Sequence, residues 1–277
     1  MALSINQNIM AMNSYRNLSA TQGGLAKSLE KLSSGFRVNR AADDAAGLGI
    51  SEGLRSQVRG NGQAVRNAQD GISLVQTAEG ALNEVHDMLQ RMRVLAVQGA
   101  NGTNSDANKG SINEELTALA EEIGRISAVT DFNGLKLLDG SVKDAVIFQV
   151  GANATDNDTI KVAGQDISQY KDDLDGKITA AKDNKTYQEL IKELDKKIID
   201  ASTKRGSFGA VQNRFEHTIN NLNVAVENLA ASESRIRDTD MAAEMMQFTR
   251  GQILSQAGTA MLAQANQVPQ SVLSLLR

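Results

Sequence analysis

The apolar residues at both ends of this chain recur every seven positions, and that spacing decides what the ends can fold into. Near the front, Leu18, Leu25 and Leu32 stand seven apart, with Leu29 and Phe36 four residues beyond Leu25 and Leu32. Near the back, Leu254, Met261, Val268 and Leu275 repeat the period, with Ala257, Ala265 and Val272 between them. A seam this narrow cannot be buried within one isolated helix, so each end needs a partner helix, from the other end or from another copy of the molecule. The ends therefore read as assembly elements.

Composition points the same way. A chain of 277 residues leaves room for two domains or one elongated one. Aromatic residues make up only 3%, tryptophan is absent, and the apolar residues are mostly Ala, Leu, Val and Ile, which suit slim helix seams better than a thick globular core. The single proline, Pro269, leaves almost the whole chain free to continue long helices. Cysteine is absent, so neither a disulfide framework nor a thiolate metal site is available, and no cofactor is expected.

A net charge of −4 gives no support to a nucleic-acid partner. Residues 1–40 are locally basic, with five basic residues against Glu30, but these are interleaved with Asn, Ser and Gln. Residues 254–276 carry no charge, yet Ser255, Gln256, Gln264, Asn266, Gln267, Gln270, Ser271 and Ser274 make a membrane span costly. Neither a nucleic acid nor a membrane is expected as a partner. Asn6, Gln7, Asn8, Asn13 and Arg16 interrupt any apolar core of a cleavable secretory signal.

Along the chain, residues 3 to about 33 read as a first helix stopped by Ser33, Ser34 and Gly35. Asp44 to Gly99 has no proline and carries the seam Val58, Val65, Ile72, then Val75, Leu82, Leu89 and Ala96. Such a helix is about 80 Å long, which predicts a rod. Ser105 is placed to cap a third helix with the seam Ile112, Leu116, Leu119, Ile123 and Ile126. Asp144 to Gly151 and Thr159 to Ala163 predict a small hairpin, and residues 164–185, polar and rich in Lys and Asp, read as the least constrained part. Helical period resumes at Tyr187, Leu190, Leu194, Ile198 and Ala201 and runs through Phe208, Phe215, Leu222 and Ile236, and a last helix starts near Asp240, with Pro269 placed to kink it.

The expected fold is mainly α: an elongated bundle of long coiled-coil-like helices with a small β-hairpin, and two terminal helices that pair in a polymer. The terminal domain is expected over 1–43 and 237–277, and the helical rod over 44–236, with a short variable segment near 141–186.

Catalytic and metal patterns are thin. Gly49-Ile50-Ser51-Glu52-Gly53 fits a nucleophile elbow in letters, but no strand precedes it, and close helix packing through small residues explains it better. His86 and His217 are the only histidines, each on a long helix without a second histidine nearby. Asp156 and Asp158 hint at a calcium loop, but Lys161 and Ile167 stand where Gly and Glu are needed. The reading is of a protein that is not an enzyme. The Lys/Asp-rich stretch from Lys171 to Lys197 reads as a solvated face.

The segment Ser33-Ser34-Gly35-Phe36-Arg37-Val38-Asn39-Arg40-Ala41-Ala42-Asp43-Asp44-Ala45-Ala46-Gly47 closely resembles the signature of bacterial flagellin. So do Leu3-Ser4-Ile5-Asn6-Gln7-Asn8, the run Leu89 to Gln98, Phe208 to Arg214, and the carboxyl end from Ser234 to Arg277. The resemblance covers nearly everything outside about 141–190, in the family's order. A flagellar hook-associated junction protein shares the two-ended plan, but the Leu89 and Phe208 runs favour flagellin.

What the resemblance implies is a subunit exported through the flagellar channel that polymerises into the extracellular filament used for swimming. On that reading polymerisation falls to Ile5, Ile9, Leu18, Leu25, Leu29, Leu32, Leu254, Met261, Leu262, Val268, Val272 and Leu275. The implied partners are further copies of itself, the flagellar cap and hook-associated junction proteins, the flagellar export chaperone and export apparatus, and the flagellin-sensing toll-like receptor of animal hosts. Arg91, Leu95 and Glu115 match the family's receptor-contacting positions. Arg91 and Leu95 are four apart and are expected on one exposed helix face, with Glu115 beside them.

Overall fold

The computed structural model describes residues 7–142 and 145–275, with side chains of the last helix as far as Gln267. Six helices and two small hairpins follow one another: α1 (Ile9–Ser34), α2 (Ala45–Gly99), α3 (Asp106–Val129), β1 (Asp131–Phe132), β2 (Leu135–Lys136), β3 (Val146–Gln149), β4 (Thr159–Val162), α4 (Gln169–Ala180), α5 (Asn184–Arg237) and α6 (Met241–Leu275). They form two compact units, one of residues 57–227 and one of 1–56 with 228–277.

The helices begin and end where local chemistry directs. The Ser105 hydroxyl accepts a hydrogen bond from Asn108 N at 3.3 Å and opens α3, and Asp240 accepts from the backbone N–H groups of Ala242 and Ala243 ahead of α6. Gly35, at φ 76°, ends α1 in the left-handed conformation that only glycine adopts without cost, and its N–H bonds back to Lys31. The helix α6 continues through position 269.

The core belongs to the 57–227 unit. The α2 seam supplies Leu74, Val75, Leu82, Val85, Leu89, Met92 and Leu95, which meet Ile112, Leu116 and Ile123 of α3 and Tyr187, Leu190, Leu194, Phe208 and Phe215 of α5. Position numbers fall along α5 as they rise along α2. A Cβ added to Gly71 would lie 2.6 Å from Phe215 Cζ, and one added to Gly99 would collide with Tyr187, so α2 yields its surface to the two aromatic rings. The hairpin of β3 and β4, paired Val146 to Val162 through Gln149 to Thr159, packs on the same region: the Phe148 ring meets Phe215 edge-on at 5.5 Å. Asn67 Nδ2 donates to Gln149 O at 2.9 Å and ties the hairpin to α2. Both ends of the segment carrying the hairpin are pinned, because Gln165 N donates to Leu137 O and Ile167 N donates to Leu138 O, at 3.1 and 3.0 Å.

Two expectations are corrected. Residues 169–180 form a packed helix, α4, in place of a loosely constrained stretch: Tyr170, Leu174 and Ile178, four apart, are buried. The charged residues between them occupy its outer side and masked the stripe. A second hairpin, β1 with β2, turns at Asn133 and Gly134, both at positive φ, where the sequence showed only a change of period.

A polar cluster fastens α4 to α5. Tyr170 Oη donates to Asp200 Oδ2 at 2.5 Å, Lys204 Nζ donates to the same oxygen at 2.8 Å, and Lys197 lies over the Tyr170 ring while pairing with Asp173 at 2.6 Å. Burial, then the hydrogen bond to the Asp200 carboxylate, pushes the Tyr170 phenol far above its ordinary value, so it stays a donor. Partial burial raises the Asp200 carboxyl, but hydrogen bonds from Lys204 and Tyr170 outweigh it and hold the group below its ordinary range.

Two predictions follow from this packing. Gly71→Ala gains up to about 1 kcal/mol of helix propensity but overpacks the Phe215 ring at about 1–3 kcal/mol, so urea unfolding should show a net loss. Gly62→Ala, with nothing within 4 Å of the new methyl, should stabilise by about 0.5–1 kcal/mol.

The pH dependence has a sign as well. A carboxyl lowered in the folded state contributes fully above the ordinary range and ceases to contribute as pH falls through its folded value. Protection of the α4 amides, measured against their intrinsic exchange rates at each pH, should therefore fall below roughly pH 4, and Asp200→Asn should remove that acid-dependent loss.

Candidate assembly surface

The terminal helices α1 and α6 pair antiparallel through a seam of small residues. Leu18 and Leu25 of α1 lie over Gly258 and Gly251 of α6, where an added Cβ would stand 3.2 Å from Leu18 Cδ1 and 3.3 Å from Leu25 Cδ1. A run of buried and half-buried positions follows 244, 248, 251, 255, 258, 262 and 265 along α6 and 11, 14, 18, 21, 25, 28 and 32 along α1, a coiled-coil interval on both helices, with 243, 30 and 31 half-buried beside it at the Lys31–Glu244 end. At one end Asn8 Nδ2 donates to Ala265 O at 2.8 Å. At the other, buried Glu244 faces Lys31 Nζ at 3.7 Å, with the carboxylate in the first turn of its helix and the ammonium in the last turn of its own, the arrangement that both helix dipoles favour.

This seam is thin. Leu18 is the one large apolar side chain of α1 that is buried, and burying it contributes about 1.5–3 kcal/mol. Ordering each helical residue costs about 1–2 kcal/mol of backbone entropy. The pairing alone leaves the two helices marginal, and further apolar surface has to be covered for them to be firmly held.

Such surface is present. On α1, Ile9, Met10, Met12, Tyr15 and Leu29 are exposed, Ile9 by 68%. On α6, Met241, Met245, Met246, Ile253, Leu254 and Met261 are exposed, Met261 by 62%. An open groove runs along Met245, Met246, Thr249, Arg250, Ile253 and Leu254.

The expected seam residues thus divide. Leu18, Leu25 and Leu32 lie on the α1 side that meets α6, and Leu262 is half-buried on the matching interval of α6. Ile9, Leu29, Leu254 and Met261 point away from the pair. The α6 heptad that receives α1 is Glu244, Gly251, Gly258 and Ala265, not the larger one of Leu254 and Met261, because leucine knobs need glycine holes to bring two helices close. A hydrophobicity count misses that heptad; a count of small residues at intervals of seven finds it. Ile5 lies outside the described residues, as do the side chains of Val268, Val272 and Leu275.

Below the helix pair, the connectors on either side close into a clasp. Phe36 and Asp238 form an isolated antiparallel bridge. Thr239 N donates to Gly35 O at 3.0 Å and Arg37 N to Arg237 O at 2.6 Å, while the Arg37 guanidinium donates to Ile236 O at 2.7 Å. The Arg237 guanidinium stacks on the Phe36 ring at 4.6 Å and donates to Glu52 Oε1 of α2 at 2.7 Å. Arg55 joins Glu233 of α5 at 2.7 Å alongside. Phe36 and Arg237 both fall in segments that carry the family resemblance, but nothing in their spacing in the sequence shows that they meet.

In the 57–227 unit, Arg91 and Glu115 meet as expected: the Arg91 Nε and Nη2 groups both donate to Glu115 Oε1, at 3.0 and 2.7 Å, and both residues are exposed. Leu95 does not join them. It is 2% exposed, because positions 89, 92 and 95 carry the α2 seam inward, and the exposed apolar residue three on from Arg91 is Val94.

Of the thin chemical patterns, the serine segment is helix packing. Ser51 is fully buried within α2, and its hydroxyl donates to Leu48 O at 2.9 Å. His86 Nε2 lies 2.7 Å from Gln90 Nε2, and His217 is exposed. Among the described residues no group of three or more His, Cys, Asp or Glu is placed to hold a metal ion, and no helix is long and apolar enough to cross a membrane.

Comparison with known proteins places this architecture. The model of the bacterial flagellin N-terminal helical region matches residues 5–143, and that of the C-terminal helical region matches residues 191–276. The chain is 54% identical over 273 residues to a flagellin of Halalkalibacterium halodurans and 49% identical over 304 residues to one of Bacillus subtilis, covering 99% of each chain in both cases. It is 45% identical over 284 residues to a flagellar filament 33 kDa core protein of Treponema phagedenis, again covering 99% of both. With a heptad-patterned helix at each end and a packed helical unit between them, the chain belongs to the bacterial flagellin family and is a structural subunit of the extracellular flagellar filament.

Proposed function

We propose that the apolar faces that α1 and α6 leave uncovered are the surfaces on which subunits meet in the filament, with Ile9, Leu29, Leu254 and Met261 among the intersubunit contacts. Leu18, Leu25, Leu32 and Leu262 prepare that surface by holding the pair together; Ile5, Val268, Val272 and Leu275, which lie outside the described residues or side chains, are included as contacts on their spacing in the sequence alone. The observation that carries this reading is the mismatch between a thin internal seam and a broad exposed stripe on both helices. Filaments grow by contacts that do not close, so each copy offers two complementary surfaces. In this reading the chain reaches the filament through the flagellar export chaperone and apparatus, and meets the cap at one end of the polymer and hook-associated junction proteins at the other. It acts as a filament for swimming and performs no catalysis.

Leu254→Asp and Met261→Asp should each raise the monomer concentration left after seeded growth by about 10- to 100-fold, since one lost apolar anchor is worth about 1.5–3 kcal/mol. Melting of the 57–227 unit should be unchanged. Electron microscopy of normal filaments at unchanged residual monomer would overturn the reading.

Arg91 and Glu115 offer a second role as a receptor contact, supported by their exposure and their fixed mutual geometry. Arg91→Ala should weaken signalling through the flagellin-sensing toll-like receptor while lowering fold stability by no more than about 1 kcal/mol, the range of an exposed ion pair. Leu95→Ala should instead cost about 2–5 kcal/mol of thermal stability through a core cavity. A melting loss from Arg91→Ala as large as that from Leu95→Ala would contradict this division.

A further inference from the structure

The seam between α1 and α6 fits two registers. In the observed one, Leu18 and Leu25 lie over Gly258 and Gly251, and Leu32 stands opposite Glu244. Sliding α6 by one heptad, about 10 Å, would set Leu18 over Ala265, Leu25 over Gly258 and Leu32 over Gly251. All three leucines would then meet glycine or alanine, so apolar packing does not prefer the observed pairing. The choice has to come from contacts that do not repeat every seven residues.

Such contacts lie at the junction. The bonds from Thr239 N to Gly35 O and from Arg37 N to Arg237 O each fix one residue against another with no partner one heptad away. Among the described residues the Phe36 ring stacks on one cation, Arg237, and Arg237 is held in turn by Glu52 of α2. Lys31 and Glu244, next to the junction, add a charge pair that the slipped register breaks. A lone polar contact fixing the register of an otherwise repetitive coiled coil is a known use of such groups.

We propose that the clasp formed by residues 35–38 and 236–239, keyed by Phe36 on Arg237, is a register pin: it selects one of two heptad-equivalent pairings of α1 with α6 and so fixes which exposed residues of the two helices stand side by side. Phe36 and Arg237 are positioning residues for assembly. This rests on the reading that the uncovered faces of the pair carry subunit contacts.

The absence of cysteine makes the test clean. Thr21→Cys with Ser255→Cys reports the observed register, and Ser28→Cys with Ser255→Cys reports the slipped one. Oxidised in otherwise unaltered monomer and in seeded filaments, the first pair should cross-link and the second should not. In Phe36→Ala/Arg237→Gln, and independently in Arg37→Pro, which removes the N–H donated to Arg237, cross-linking at positions 28 and 255 should rise about tenfold or more, as expected when contacts of ordinary strength are lost. Cross-linking confined to positions 21 and 255 in both clasp variants would overturn the proposal. Loss of both cross-links would also overturn it, since the clasp would then hold the helices together without choosing between registers. Filament growth is read separately: a slipped register with normal growth leaves the pin standing and removes the assembly reading on which it rests.

Discussion

Two antiparallel helices lie close only where one of them gives up its side chains, and Gly71 and Gly99 of α2 do so beneath Phe215 and Tyr187 of α5. The rest of the 57–227 unit depends on that contact. With the two rings seated, the α2 seam from Leu74 to Leu95 faces inward continuously, α3 folds back along it, and Phe148 finds the edge of Phe215 on which the β3–β4 hairpin rests. The glycines are costly to a free helix, by about 1 kcal/mol each, and the aromatic burial they permit exceeds that cost.

The terminal pair uses the same device with a different balance. Gly251 and Gly258 again make room, but for leucines where α2 makes room for aromatic rings, and the seam gains little from burial. The two units therefore differ in where their stability comes from. One contains its own core; the other is arranged so that its largest apolar side chains remain outside. This fits the subunit of a polymer, which needs a part that stays folded and a part whose folding is completed by neighbours.

The sequence disclosed the long helices well because their apolar periods are long and regular. Ser105, Gly35 and Asp240 announced their boundaries through capping chemistry, and the hairpin near 146–162 showed in its β-branched runs. Legibility failed where a stripe was short or its members small. Tyr170, Leu174 and Ile178 were hidden among charges. The small-residue heptad of α6 was overlooked because size complementarity, not hydrophobicity, decides that contact. Leu95 was placed outside because two residues four apart share a face only approximately, and Arg91 sits at the margin of the very stripe that Leu95 fills. The clasp was beyond sequence reasoning, since it pairs residues about two hundred positions apart.

The pinned ends of the segment between Leu138 and Ile167 bear on how such a chain changes over time. Because Gln165 and Ile167 bond directly to Leu137 and Leu138, the intervening residues leave and re-enter the fold at nearly one point. Lengthening an excursion with fixed ends is inexpensive: each doubling adds only about 0.6 kcal/mol of closure entropy. An insertion among the exposed residues 153–157 between β3 and β4 would leave helix register and the packing of Phe148, Val150, Ile160 and Val162 in place. The turn between β3 and β4 is thus a place where the chain can grow longer while both strands keep their pairing and their seat on Phe215.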